Sequence, residues 1–257
     1  MTTITESKFK TIINIALVLA LIVFSFAYIN VNPLDVLTSG PGLVTWLSDN
    51  FFPVDFSNFG VFMSAAFDTI LFAIVGTYVS AVLSFILGIF LSEELMPNPI
   101  VRSVFRFIIS FLRNIPVLVW TSILVFVFGI GNLIGLIALI LTTVGFLARS
   151  YAESINEIAG TKLEAMRASG ANWFQIIFHG LIPEFAPSWL NWTLFSFEIN
   201  IRASAILGVV GAGGIGILIQ SNLNLRNFNQ AAALIIILVT MVLMTEFFVS
   251  ILRKYLA

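Results

Sequence analysis

Long apolar runs without a charge dominate this chain. Residues 11–34 and 69–92 contain no Asp, Glu, Lys or Arg. Each is long enough to cross a hydrocarbon layer as a helix, which takes about 20 residues at 1.5 Å apiece. Residues 114–148 are also uncharged, but as one helix they would run about 52 Å, too far for a single crossing. Gly129-Ile130-Gly131-Asn132 interrupts that run near its middle and predicts two short spans, 115–130 and 133–148, joined by a tight external turn. A fifth span starts after Pro183 and runs to about Val210, and a sixth covers about 231–252. The pattern predicts an all-α polytopic membrane protein of six transmembrane helices, a single domain over 1–257. The first apolar run outlasts a signal-peptide core and no A-x-A site follows it, so it reads as a retained helix.

Basic residues set the expected orientation, because Lys and Arg accumulate on cytoplasmic loops. With the N-terminus inside, Lys8, Lys10, Arg102, Arg106, Arg113, Arg149, Lys162, Arg167, Arg253 and Lys254 all lie in the cytoplasm. Arg226 falls outside and Arg202 within a span. Both termini are therefore expected in the cytoplasm. The outer loop, 32–67, carries Asp35, Asp49 and Asp55 and no basic residue, as that orientation requires.

Composition narrows the chemistry. Of 257 residues, 59% are hydrophobic and only 10% charged, against about 25% charged in soluble domains. A water-soluble enzyme and a disordered chain are excluded. Twelve basic residues against 13 acidic ones leave no net field for a nucleic-acid backbone. There is no cysteine and one histidine, His179, so disulfides, thiolate chemistry and a His-rich metal centre are excluded too.

Two polar stretches stand out. Arg102, Arg106 and Arg113 fall within about 40° of one another on a helix; they read as a basic stripe on cytoplasmic headgroups, or, for Arg113, as a contact to substrate. Pro116 then lets the chain turn into the membrane. The longest cytoplasmic segment, 149–183, holds two short helical patterns. The first, Ile155 to Ala168, ends at Gly170, suited to a helix C-terminus. The second runs from Asn172, an acceptable N-cap, to His179, with an apolar face of Trp173, Ile176 and Ile177. Such a hairpin either docks on a partner or packs back on its own bundle.

Glu164-Ala165-Met166, three residues, Gly170, nine residues, then Gly180-Leu181-Ile182-Pro183 resembles the EAA loop of type I ABC importer permeases, whose pattern is E-A-A, three residues, G, nine residues, I-x-L-P. This chain departs at Met166, Gly180 and Ile182. The resemblance implies a MetI-like transmembrane domain in which 149–183 is the coupling loop seated on a separate ATPase. Glu164 would be the docking carboxylate, beside Ala165, with Gly170 as the turn and Pro183 as the re-entry. The chain has no G-x-x-x-x-G-K-[ST], so ATP and magnesium are expected on that partner and no cofactor on this chain. Phe197-Glu198-Ile199-Asn200-Ile201-Arg202 with Gly211-Ala212-Gly213-Gly214-Ile215-Gly216, and Arg113-Asn114-Ile115-Pro116-Val117-Leu118-Val119-Trp120, resemble the phosphonate-transporter permeases, a group that includes phosphite and hypophosphite importers. Val117 stands where that group has an acidic residue. The resemblance, over roughly 65–257, implies a homodimer, an ATPase dimer and an external solute-binding protein in the bacterial cytoplasmic membrane, with transport by alternating access.

Physically, Glu198 and Arg202 are an i, i+4 pair inside a span. Counted from Phe185, Arg202 lies about 25 Å along, toward the outer half. Charges at depth face the bundle interior, paired or lining a path. The pair, with Asn200, either neutralises itself within the helix or lines the translocation path. Gly211, Gly213 and Gly214 disfavour regular helix, and read either as a bend or gate beside the path or as close helix packing. Glu246 and His179 read as structural, and Trp46, Trp189 and Trp192 as interfacial anchors. The rivals are an ABC permease for another small solute such as an amino acid, an ion-driven secondary transporter, and a membrane scaffold.

Overall fold

The computed structural model describes the backbone of residues 2–211 and 213–256, with side chains omitted at 2–7, 33, 36, 37, 159–162, 255 and 256. Ala212 and the Lys162 side chain therefore lie outside the described residues. The chain forms two compact units, Met1–Phe52 and Pro53–Ala257.

The first unit holds α1 (Thr2–Tyr28) and α2 (Pro33–Phe51). Residues 8–28 of α1 are long and apolar enough to cross a membrane. The outer loop expected over 32–67 is thus largely helical at its start. Asn32 caps α2 through the Leu34 N–H at 3.1 Å, and Pro33 occupies the first turn, where its missing N–H costs nothing.

The second unit is built on α3 (Phe59–Leu91), α6 (Asn132–Ala168) and α8 (Ile182–Val209). One face of α3 carries small residues, among them Ala65, Thr69, Ala73, Gly76, Ser80, Ser84 and Gly88. From Gly76 onward they let α6 approach closely, as helices in lipid must when no hydrophobic driving force separates partner from solvent, while Thr69 meets the start of α9 (Gly214–Asn224). A β-carbon at Gly88 would sit 3.1 Å from Tyr151 Cβ, and one at Gly76 2.6 Å from a Leu139 methyl. The Tyr151 hydroxyl pairs with Thr193 Oγ1 at 2.7 Å, and its ring packs edge-on to Phe185. Trp189 and Trp192 pack against this core, and Trp192 donates to Ser154 Oγ at 3.0 Å.

Two more helices, α4 (Pro99–Asn114) and α5 (Val117–Phe128), meet at a 90° bend at Pro116. Exposed Ile100, Val104, Phe107, Ile108 and Phe111 line one face of α4, the mark of a helix lying in a membrane surface. At 12 residues, α5 is about 18 Å long, too short to cross alone, and with α4 it forms a bent pair of the kind made by a broken span or a re-entrant loop. The other segments long and apolar enough to cross fall within 59–91, 132–158, 173–224 and 228–254. Each of the six expected spans thus has a counterpart. Charges did not end the helices, however: α3 runs back through Asp68 to Phe59, and α6 continues past Arg149 to Ala168.

Candidate functional site: a coupling hairpin and a broken crossing

The hairpin after α6 is set by local caps. Gly170 takes φ +84°, a left-handed conformation that ends the helix. Asn172 and Gln175 then form a reciprocal capping box, at 2.9 and 2.8 Å, opening α7 (Trp173–Gln175). A single π-helical turn, Ile176–Leu181, follows and runs straight into α8. Pro183 explains that turn: it has no N–H to give, and its ring crowds the carbonyl one turn earlier, so the ladder widens. Pro183 thus sits inside a continuous helical path from the hairpin to the membrane.

Ile176, Ile177 and Leu181 are buried against Leu163 and Ile155. Phe174 and Phe178 remain 66% and 61% exposed, and Trp173 45%. Glu164 and Ala165 are exposed as well. The same hairpin is tied to the loop after α3. Arg167 pairs with Glu94 at 3.6 Å, Trp173 donates to the Leu95 carbonyl at 3.4 Å, and Ser92 donates to Asn156 at 2.6 Å. Nothing local in the sequence flags this second attachment.

Met166 and Gly180 turn out to share one space. A β-carbon at Gly180 would lie 2.6 Å from Met166 Sδ and 2.9 Å from a Leu163 methyl. The large residue in one half of the pattern is matched by the absent side chain in the other.

The second feature is the break between α8 and α9 (Gly214–Asn224). Gly211, Gly213 and Gly214 all have positive φ, at +93°, +87° and +68°. The Ile215 N–H donates to Thr69 Oγ1 at 2.9 Å, which places the break about 15 Å along α3 from Phe59. Gly216 packs on the Ala205 carbonyl and on Gly208 with no room for a β-carbon. The first turn of α9 therefore lies beside the last turn of α8, displaced sideways. The end of α9 leads through a short turn to α10 (Phe228–Leu256), whose start is tied to the segment before α3: Asn229 Nδ2 donates to the Pro53 carbonyl at 2.7 Å, and Gln230 to Asp55 at 3.0 Å. So α8 and α9 are two pieces of one crossing. Gly213 and Gly211 abut Asn132 and Ile130 of the α5–α6 turn, bringing two chain breaks to one level. Bend and close packing, the two readings of the glycine run, are both present.

About two turns of α3 away lies a buried polar cluster. Asn200 donates to Thr77 Oγ1 at 2.9 Å and accepts from Thr143 at 3.0 Å, joining α3, α6 and α8. It is only 3% exposed, with both ends of its amide engaged. Glu198 and Arg202 are paired as the spacing predicts, and Arg253 approaches Glu198 at 3.7 Å while lying over the Phe195 ring. Arg253 belongs to the last turn of α10, so the Glu198 carboxylate sits level with that end of α10. Glu246 shares a cavity with Glu198 and Arg253. Glu198 is 13% exposed and Arg202 50%, so only the arginine is open. Among the described residues no cluster of His, Cys, Asp and Glu is arranged to hold a metal.

An all-helical bundle with a broken crossing, a bent crossing and an exposed aromatic hairpin continuous with a membrane helix defines an ABC importer permease. Residues 84–257 match the family of binding-protein-dependent transport system inner membrane components, and the chain belongs to that family. It is 30% identical over 241 residues, 94% of this chain and 88% of the other, to a phosphite transport system permease protein of Stutzerimonas stutzeri. It is 31% identical to a phosphate-import permease protein of Mycolicibacterium smegmatis, over 87% of this chain and 42% of that longer one. The fold superposes on an inward-facing MetNI methionine ABC transporter with a TM-score of 0.68 at 22% identity, covering 79% of this chain and all of that one. The chain is a multi-pass membrane transport subunit of an ABC importer and not an enzyme.

Proposed function

We propose that this chain is the permease subunit of an importer for a small phosphorus oxyanion of the phosphonate and phosphite class. The observation that carries the reading is the likeness to the phosphite permease, which extends over nearly the whole of both chains. The permease works as a homodimer with two ATPase subunits and an external binding protein, with both termini in the cytoplasm. Phe174, Phe178 and Trp173 form the apolar part of the ATPase contact, Glu164 its charged part, and Ala165 gives close approach. Gly170 fixes the hairpin angle, and the unbroken helix through Pro183 passes motion to α8. The attachments at Glu94 and Leu95 pass it to α3 and α4. The glycine joint at 211–214 against Asn132 acts as the gate, and Glu198 and Arg202 flank the path, with Arg202 as the transient oxyanion contact. A weak contact suits a path that must release what it binds. Asn200 clamps the three helices around it.

The test is uptake of labelled methylphosphonate into proteoliposomes holding this chain, its ATPase and its binding protein, with and without ATP. Uptake that needs ATP and is lost in Glu164→Arg supports both class and coupling role. Phosphite and phosphate as competitors then rank the ligands. ATPase stimulation by an amino acid alone would overturn the oxyanion assignment, and no association with an ATPase would overturn the coupling role.

A further inference from the structure

A polar cavity of about 470 Å³ lies between the second half of α4 and the middle of α6. Arg106, Ser110, Arg113 and Asn114 reach it from α4, and Arg149 and Asn156 from α6. The spacings explain the convergence: residues 106, 110, 113 and 114 share one helix face, as do 149, 153 and 156. Gly145 brings the two helices together, since a β-carbon there would lie 2.7 Å from the Arg113 backbone nitrogen. Arg113 is thereby held one turn of α6 from Arg149.

The charges do not cancel. Arg149 pairs with Glu153 at 2.8 Å, and Arg106 with Glu93 at 3.0 Å. Arg113 has no ion-pair partner among the described residues. Three guanidinium groups line the cavity with one lining carboxylate, Glu153, and Glu93 meets Arg106 from outside the lining, so Arg113 carries the charge left over. The Asn156 carbonyl oxygen is taken up by Ser92 and by the Glu93 N–H, at 2.6 and 3.1 Å, which leaves its NH2 group as a donor. A concave site rich in N–H donors, with guanidinium groups from two directions, matches a multi-oxygen anion and above all a phosphate group, which arginine binds through paired hydrogen bonds.

We propose that this cavity binds a phosphate group, with Arg113 as its principal charge and Arg106 and Arg149 as flanking donors. The inference does not rest on the transport reading. The apolar face of α4 sets the cavity at a membrane surface, so two sources offer the same chemistry: the headgroup of an anionic phospholipid, and a free phosphorus oxyanion in the water beside it.

The experiment uses the full-length chain in nanodiscs. In one arm, inorganic phosphate is titrated calorimetrically against discs of neutral phosphatidylcholine. In the other, discs carry 20 mol% phosphatidylglycerol in phosphate-free buffer, and lipid retained per chain is counted by native mass spectrometry. The expected result is saturable binding of one phosphate group per chain in at least one arm, weakened at least tenfold by Arg113→Gln, partly kept by Arg113→Lys and unchanged by Arg102→Gln, which removes a charge of α4 outside the cavity. The arm that binds identifies the source. Arg149→Gln supplies the same reading should Arg113→Gln fail to fold, and its loss is deepened because Glu153 is left unpaired. Absence of binding in both arms, or equal losses in the Arg102 and Arg113 variants, overturns the proposal.

Discussion

Gly180→Ile tests whether two of the hairpin's three departures from its family pattern, Met166 and Gly180, are one exchange of volume. A β-carbon at position 180 would already lie 2.6 Å from Met166 Sδ and 2.9 Å from the buried Leu163, where ordinary carbon contacts are at about 3.5–4.0 Å. Methionine has three torsions with which to retreat, so a lone methyl is absorbed cheaply. Three further carbons are not, and overpacking of this kind costs about 1–3 kcal/mol. Met166→Ala alone opens a gap over the glycine. Met166 is half-buried, so its loss belongs below the 2–5 kcal/mol typical of a full core site, at about 1–2 kcal/mol. If the two side chains compete for one space, the double variant recovers most of both losses, with a coupling of about 1–3 kcal/mol. The assay is thermal unfolding of the purified chain in detergent, followed by tryptophan fluorescence, with retention of the ATPase on an affinity column as a second readout. At about 2–4 °C per kcal/mol for a chain of this size, each single variant melts several degrees low and the double variant returns close to wild type. Losses that simply add would refute the reasoning.

At the broken crossing, Gly216→Ala places a carbon against the Ala205 carbonyl, which is backbone and cannot retreat; the cost exceeds about 3 kcal/mol, seen as a collapse of folded yield, while Gly60→Ala, with open space around it, leaves the yield unchanged. Asn200→Leu removes two buried hydrogen bonds and lowers stability by about 1–2 kcal/mol; adding Thr77→Val costs less than its own single effect, as a shared contact requires, and full additivity would refute the cluster. The Ser57 N–H, then the Gln230 side chain, hold the Asp55 carboxyl below its usual pKa. A group lowered on folding adds stability that is complete above its unfolded value, about 3.9, and lost as pH falls through the folded one. The tether from residues 53–57 to α10 therefore holds at pH 7 and at pH 5 and opens in stronger acid. Amide exchange at Ser57 reads it, and Asp55→Asn should abolish the pH dependence.

The number of crossings was legible because apolar length is a local quantity, but their ends were not. Asp68 and Arg149 terminate a charge-free run without terminating a helix, since backbone hydrogen bonds continue regardless of the side chain. The hairpin was legible down to its caps, as Gly170 and Asn172 act within a few residues of themselves. The small-residue face of α3 was available in the sequence as a repeat of Ala, Gly, Ser and Thr at helical spacing, and was hidden by the greater hydrophobicity around it. What stayed hidden for a physical reason is everything set by a distant partner: Asn132 against Gly213, Arg113 against Gly145, Arg253 beside Glu198. Counting along one helix places a residue relative to its own entry point, whereas the level of a charge in a bundle is set by whichever neighbour meets it.

The two chain breaks explain why the glycines cluster where they do. A helix broken within a membrane exposes N–H and C=O groups that lipid cannot satisfy, so the break must be enclosed by protein. Thr69 takes the Ile215 N–H, and Asn132 and Ile130 close on Gly213 and Gly211 from the α5–α6 turn. Enclosure on that scale needs backbone-to-backbone approach, and only glycine at 208, 213, 214 and 216 leaves room for it. The same tightness makes the joint discrete: a side chain cannot be added, and a sub-ångström shift cannot be absorbed, without Asn132 and Thr69 moving as well. A joint of that kind switches between packings instead of bending by degrees. Its contacts join α3, the α5–α6 turn and α8 with α9, and α3 and α8 are the same helices that the hairpin grips through the loop at 92–96 and the continuous path through Pro183. The exposed aromatic face is thus linked to the enclosed break by one covalent route, through Pro183 into α8, and by one non-covalent route, through the ion pair at Glu94 and the hydrogen bond at Leu95 into α3, the two connections that the proposed gate would use.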